Sequence, residues 1–209
     1  ESASRFGLAH SGAFAMAAFA DYDLDGDLDV YLLGHRFYRA GGRPNRPVTI
    51  LKDGRNQMLP EFENYYGVSE RMGNMKINNV GAPDKLLRND GGRFVEVTQS
   101  AGISTNRYHG NSVTWWDFNH DGLPDIYVGN DFEDPDLLYR NNGNGTFSDV
   151  TQHQLPHTSW FTMGADCGDL NNDGLIDFLS SDMAGTTHYK SKTTMGMMGA
   201  STWVMQNTV

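Results

Sequence analysis

The sequence predicts an all-β protein built from β-propeller blades of four antiparallel strands, part of a larger ring expected to hold about seven. Two repeated elements in one register carry that prediction, with β-branched and aromatic runs on either side of them. The first element is an acidic nonapeptide, found at Asp21 to Asp29 (DYDLDGDLD), Asp117 to Asp125 (DFNHDGLPD) and Asp169 to Asp177 (DLNNDGLID). The second is Pro83-Asp84-Lys85-Leu86-Leu87-Arg88-Asn89, which returns as Pro135-Asp136-Leu137-Leu138-Tyr139-Arg140-Asn141. From 83 to 135 and from 117 to 169 the offset is the same, 52 residues. A period of roughly 50 residues with four short strands per repeat is the signature of a propeller blade.

The strands follow in order around these markers. Val30-Tyr31-Leu32-Leu33, Ile126-Tyr127-Val128 and Phe178-Leu179 follow the acidic loops, and Val113-Thr114-Trp115-Trp116 precedes the second. Such runs are strand formers. Ala13 to Ala20 (AFAMAAFA) reads as helix on propensity, but it occupies the place of Val113 to Trp116 before the first loop and is predicted as strand. The Leu-Leu-Arg-Asn and Leu-Tyr-Arg-Asn runs lead through glycine-rich turns into Phe94-Val95-Glu96-Val97-Thr98 and Phe147-Ser148-Asp149-Val150-Thr151, two β-hairpins.

The predicted domain organisation is a first blade over residues 1–103 with an insertion at about 34–82, a second over 104–156 and an incomplete third over 157–209. The insertion is basic and tyrosine-bearing, with Arg36, Arg39, Arg46, Lys76, Tyr38, Tyr65 and Tyr66 among its residues. It reads as a solvated excursion on one rim that is free to act as a contact surface for an acidic partner or a glycan. The third repeat departs from the pattern after Asp177: His188 and a methionine-rich stretch with Met195, Met197, Met198 and Met205 stand where the second hairpin is due. Methionines among small residues read as packing rather than as soft-metal ligands.

Within each acidic loop, oxygen-bearing side chains stand at positions 1, 3, 5 and 9, and glycine at position 6 lets the backbone turn so that those oxygens converge. That is a cage for a hard cation. Calcium suits such a loop better than magnesium, which demands a tighter octahedron and keeps more of its water. An EF-hand is excluded, because position 12 holds Leu32, Val128 and Ser180 in place of a bidentate Glu.

The 209 residues carry 16 basic and 26 acidic side chains, a formal charge of −10, with 38% apolar composition. Three divalent ions would reduce that charge to about −4. Without a basic stripe, nucleic acid is not an expected partner. The single cysteine, Cys167, excludes an intrachain disulfide framework and is predicted to be a small buried side chain. No apolar run approaches the length of a membrane span.

The loops DYDLDGDLD, DFNHDGLPD and DLNNDGLID, with LLYRNNGNGTFSDVT, resemble the FG-GAP and VCBS-type repeats, and most of all their cartilage acidic protein-like (ASPIC/UnbV) branch. The resemblance implies about three calcium ions. Their side-chain ligands would be Asp21, Asp23, Asp25 and Asp29; Asp117, Asn119, Asp121 and Asp125; and Asp169, Asn171, Asp173 and Asp177. Asp27, Leu123 and Leu175 would supply backbone carbonyls. The two loops with Asn at position 3 hold one negative charge less and are expected to bind more weakly.

The resemblance also implies secretion or display at the cell surface. The expected function is therefore a non-catalytic, calcium-stabilised module for adhesion, scaffolding or surface assembly, meeting a protein or glycan partner. The competing expectation is a propeller enzyme or a glycan-binding lectin acting on extracellular polysaccharide. Histidines such as His10, His109 and His120 could then include a general base, although no nucleophile motif accompanies them. Asn144-Gly145-Thr146 matches a glycosylation sequon, but a hairpin turn explains it equally well. Because three blades cannot close a ring, the end faces are expected to be covered by further repeats of a longer chain or by neighbouring subunits.

Overall fold

A computed structural model describes residues 2–42, 44–71, 74–131, 134–159 and 161–183. A short helix, α1 (Ser2–Arg5), precedes the strands β1 (Phe14–Ala20), β2 (Asp29–Gly34), β3 (Thr49–Lys52), β4 (Arg55–Met58), β5 (Tyr66–Arg71), β6 (Asn74–Asn79), β7 (Lys85–Asn89) and β8 (Phe94–Glu96). Then come β9 (Gly110–Trp116), β10 (Asp125–Asn130), β11 (Leu137–Asn141), β12 (Phe147–Asp149), the helical turn α2 (Thr151–Gln154), β13 (Thr162–Gly168) and β14 (Asp177–Asp182). The methionine-rich stretch and the expected loss of the third repeat's outer hairpin lie outside the described residues.

Two four-stranded antiparallel sheets result, in the orders β1-β2-β7-β8 and β9-β10-β11-β12, with a third sheet made of β13 and β14. Their registers agree: Tyr31 pairs with Leu86 in the first sheet as Tyr127 pairs with Leu138 in the second. Ala13 to Ala20 contributes a strand rather than a helix, because Phe14 to Ala20 pairs along β2. Tertiary pairing overrides alanine's helix propensity here.

The sheets stack face to face through apolar layers. Tyr31, Leu33 and Leu86 of the first sheet pack with Val113, Ile126, Val128, Leu137, Tyr139 and Phe147 of the second. A second layer joins Tyr127, Leu138 and Val150 to Ala165 and Phe178 of the third sheet. Contact is close enough that a Cβ on Gly110 would fall 2.4 Å from the Leu33 side chain, and one on Gly129 would fall 2.3 Å from Thr162. Glycine at these two positions is what lets neighbouring sheets approach. Cys167 is half-buried rather than buried; its Sγ donates to Trp115 O across the second interface, at 3.4 Å.

The two Asp residues after the repeated prolines hold one end of each sheet. Asp136 is buried: its Oδ1 accepts Asn130 N–H at 2.7 Å, and its Oδ2 accepts the Tyr127 hydroxyl at 2.6 Å and the Thr162 hydroxyl at 2.8 Å. Asp84 does the same for Gly34 N–H and the Tyr31 hydroxyl, both at 2.7 Å. In the fourth strands' wake, Thr98 and Thr151 accept the N–H groups of Leu86 and Leu138, replacing a ladder bond at the strand ends.

The insertion is more ordered than a solvated excursion loop: it forms two hairpins, β3-β4 and β5-β6, around Val48, Phe62 and Tyr66. It leaves and rejoins the first sheet through adjacent strands, with Arg36 bridged to Gly81. Arg107, in the connection between the first two sheets, fastens it further: Nε donates to Gly81 O at 2.9 Å, Nη2 to Asn64 O at 2.9 Å, and Nη1 to Glu63 O.

Two outcomes follow from the buried aspartates. Asp136→Ala leaves three buried donors without their acceptor and is expected to lower stability by about 2–4 kcal/mol; a urea unfolding midpoint equal to that of the parent would refute the role. Burial pushes the Asp84 carboxyl up to about 6 from 3.8, against the N–H of Gly34 and the Tyr31 hydroxyl, which pull it down. The folded state thus holds this proton over a range in which the unfolded chain has lost it. Its contribution is fully present below about pH 4 and is lost as pH rises through about 6. In chelator, Asp84→Asn is expected to make the fall in stability between those limits shallower, and an unchanged slope would count against it.

Candidate metal centre

The three acidic loops share one backbone solution. Position 1 accepts twice from the loop itself: Asp21 from Asp25 N–H and Gly26 N–H, each at 3.0 Å; Asp117 from Asp121 and Gly122 at 3.1 and 2.9 Å; Asp169 from Asp173 and Gly174 at 3.1 and 2.9 Å. Position 5 accepts from position 7, as Asp25 from Asp27, Asp121 from Leu123 and Asp173 from Leu175, at 2.8, 2.9 and 2.8 Å. Glycine at position 6 has φ of 95°, 85° and 84°. Position 4 is also left-handed, at 60°, 59° and 59° in Leu24, His120 and Asn172. His120 and Asn172 are residue types enriched at positive φ, whereas Leu24 is not, and it hides the shared conformation in the first loop.

Position 9 ties the loop to the sheet. Asp29 and Asp125 are buried. Asp29 accepts Tyr22 N–H at 3.1 Å and Asn89 N–H at 2.8 Å; Asp125 accepts Phe118 N–H at 3.2 Å and Asn141 N–H at 2.6 Å. Asp177 accepts Leu170 N–H at 3.0 Å. The Asn89 and Asn141 side chains return the bond to the loop, donating to Leu28 O and Pro124 O, both at 3.1 Å. Sequence reasoning used these asparagines only to set the register. Their repetition at the same offset as the loops was the signal that they belong to the site.

Electrostatics separates the loops. In the first, Asp21, Asp23 and Asp29 each bring one carboxylate oxygen within 4.8 Å of the others. Among the described residues it is the one such set of three His, Cys, Asp or Glu side chains. Burial, then the charges of Asp25 and Asp21, push the Asp23 carboxyl up. Burial, with Asp23 and Asp25 adding to it, carries Asp29 up to about 6 despite its two N–H partners. Asp125 is likewise pushed up to about 6, chiefly by burial.

Three converging carboxylates with nothing but oxygen to offer fit a hard divalent cation, whose charge would offset their repulsion. Asp25 and Asp27 are turned to the backbone, Asp27 Oδ2 accepting Gly91 N–H at 3.0 Å. In the other two loops Asn119 and Asn171 stand in for Asp23, and each donates its Nδ2 to the carboxylate at position 5, at 2.8 and 2.9 Å. An amide that neutralises its neighbour in this way removes both a charge and part of the repulsion. Asp173 is accordingly held below the usual carboxylate range by Leu175 N–H and then by Asn171.

The other candidates are placed more simply. His109 is buried, with Nδ1 2.6 Å from Asp134 Oδ2, which also accepts the His109 N–H. His120 lies on the exposed crest of the second loop. Asn144 and Thr146 satisfy one another within the β11-β12 turn, the Thr146 hydroxyl donating to Asn144 Oδ1 at 2.6 Å. No described helix is long and apolar enough to cross a membrane.

Comparison with known proteins finds likeness over part of the chain. The FG-GAP-like repeat model matches residues 117–180, from the second acidic loop through the third. Cartilage acidic protein 1 of Mus musculus is 41% identical over 63 residues, 30% of this chain and 10% of that protein. Its Xenopus tropicalis counterpart is 34% identical over 82 residues, 37% of this chain and 12% of its own length. The Homo sapiens protein is 41% identical over 63 residues, 30% of this chain and 9% of its own. The match thus spans about a tenth of the length of these relatives. The chain carries an FG-GAP-like repeat and shares distant, partial homology with cartilage acidic protein 1.

Proposed function

We propose that this chain is a calcium-stabilised, non-catalytic module of an extracellular or cell-surface protein, in which propeller blades form the support and exposed segments carry recognition. The convergence of Asp21, Asp23 and Asp29 carries the reading. Asp21, Asp23, Asp25 and Asp29, with the Asp27 carbonyl, would hold one ion. Asp117, Asn119, Asp121, Asp125 and the Leu123 carbonyl, and Asp169, Asn171, Asp173, Asp177 and the Leu175 carbonyl, would hold two more at lower affinity. A cation there would supply charge neutralisation, not a reactive centre: the carboxylates already serve as acceptors that close the loops and tie them to the strands. Secretion or surface display fits loops of modest affinity, since extracellular calcium is millimolar.

Calorimetric titration of the metal-free protein with calcium is expected to show binding, with the first loop tightest. Asp23→Asn should bring that loop to the affinity of the other two. Thermal unfolding should shift upward in calcium and return in chelator, because a ligand that binds only the folded state stabilises it. Melting indifferent to millimolar calcium would overturn the reading.

The same proposal has the outer faces covered by further repeats of a longer polypeptide or by neighbouring subunits. Ala18 packs into the layer between the first two sheets, so Phe19 beside it points to the opposite face, where it is 57% exposed. Phe178 packs toward the second sheet, and the adjacent Leu179 points away and is 62% exposed. Leu170 follows the same logic. Its counterparts at position 2, Tyr22 and Phe118, pack toward the next sheet, whereas Leu170 is 70% exposed. The 209-residue chain alone is expected to self-associate, and Leu170→Glu with Leu179→Glu to reduce this. Sedimentation showing a dilute-to-concentrated monomer would refute it.

A glycan-binding reading has one observation in its favour, the cleft in the insertion.

A further inference from the structure

The insertion contains a cleft of about 300 Å³. Arg36, Phe37, Tyr38, Arg39, Tyr65 and Tyr66 form most of its wall. We propose that this cleft binds a carboxylated sugar, a hexuronate unit of an acidic polysaccharide. The inference rests on the reading of this segment as a recognition surface carried by rigid blades, and it names the ligand class.

Charge comes first. The lining holds two guanidiniums and no carboxylate, on a chain whose formal charge is −10. A guanidinium presents a planar fork that matches a carboxylate in two parallel hydrogen bonds. Arg39 lies over the Phe62 ring at 5.6 Å and donates Nη1 to Gly42 O at 2.9 Å, so its orientation is set before any ligand arrives. Arg36 stacks on Tyr38 at 4.5 Å.

The aromatic walls select the rest of the ligand. Tyr65 and Tyr66 lie 6.4 Å apart with planes at 53°, and Phe37 stands edge-on to Tyr65 at 6.5 Å and 78°. Half-buried Phe37 and Tyr65, backed by buried Tyr66, leave apolar ring surface along the cleft for the C–H faces of a pyranose. The hydroxyls of Tyr38 and Tyr65, with the amide of Asn79, which also lines the cleft, would meet the sugar's hydroxyl groups. A peptide glutamate would engage the guanidiniums but leave most of a 300 Å³ space and its ring faces wet. A hexuronate carries the charge and the flat body together.

The site is also built in advance. Tyr66 belongs to the insertion's own core with Val48 and Phe62, and Arg107 ties the Glu63, Asn64 and Gly81 carbonyls to the connection leading into the second sheet. Preformed walls reduce the ordering that binding would otherwise require.

The test uses the full chain in millimolar calcium and trigalacturonate as the probe, followed by isothermal titration. Saturable binding at one site is expected. Arg39→Gln should weaken it roughly tenfold or more, and Tyr38→Ala, at a residue 75% exposed and outside the core, should weaken it several-fold with the melting temperature unchanged. The methyl-esterified trisaccharide and a hexaglutamate peptide should bind much more weakly. The proposal is overturned if the folded chain does not bind trigalacturonate, if the ester or the peptide binds as well, or if neither variant changes affinity. Melting in calcium and in chelator, read on the same sample, tests the scaffold separately. Uronate binding by a chain whose melting ignores calcium would uphold the cleft and refute the calcium reading.

Discussion

A carboxylate held at each end of the second strand is the constraint on which the two four-stranded sheets depend. At one end Asp29 and Asp125 join the acidic loop to the third strand through backbone N–H groups on both sides. At the other, Asp84 and Asp136 hold the strand's last N–H and a tyrosine hydroxyl. Burying an ionised group is expensive unless its hydrogen-bonding capacity is filled. Here each one is filled by donors that the sheet's geometry fixes. The arrangement therefore cannot slip by one residue, because a slip would turn every such carboxylate to the wrong face.

Much of this was legible in the sequence, and for a physical reason. Loop, strand and hairpin recur at one offset, so a weak local signal appears two or three times. The strand at Phe14–Ala20 shows the strength of that argument, since its alanines alone would have pointed to a helix. What was not legible lies in tertiary contacts that leave little trace in residue type. Arg107 looks like an ordinary surface arginine, yet burial pulls its pKa down while it holds three carbonyls of the insertion. The roles of Asn89, Asn141, Thr98 and Thr151 were hidden for another reason: asparagine and threonine are common in turns and strands, and only pairing reveals what they accept and donate.

The acidic loops also take part in the stacking of the sheets. Position 2 of each loop lies between two oxygen-bearing positions, yet Tyr22 is buried against Trp115 and Phe147, with ring centroids 6.3 and 5.4 Å away. Asn141 donates to Tyr22 O across the same interface at 2.8 Å. A loop closed by its own hydrogen bonds thus also positions the side chain and the carbonyl on which the next sheet rests.

The same carboxylate anchors explain how the first sheet tolerates an insertion nearly as long as a repeat. The sheet's register is set by Asp29 on one side and Asp84 on the other. Between them the chain leaves and returns through neighbouring backbone, with Ala82 N–H donating to His35 O at 2.8 Å and Arg36 bridged to Gly81. Beyond that neck the insertion has a small core of its own, Val48, Phe62 and Tyr66 with Met58, Leu59, Tyr65 and Ile77 packed against it. The residues inside it are consequently free of the sheet's demand for apolar, stacking side chains. Arginines and tyrosines can collect there at little cost to the sheet, as a recognition surface requires of the scaffold that carries it.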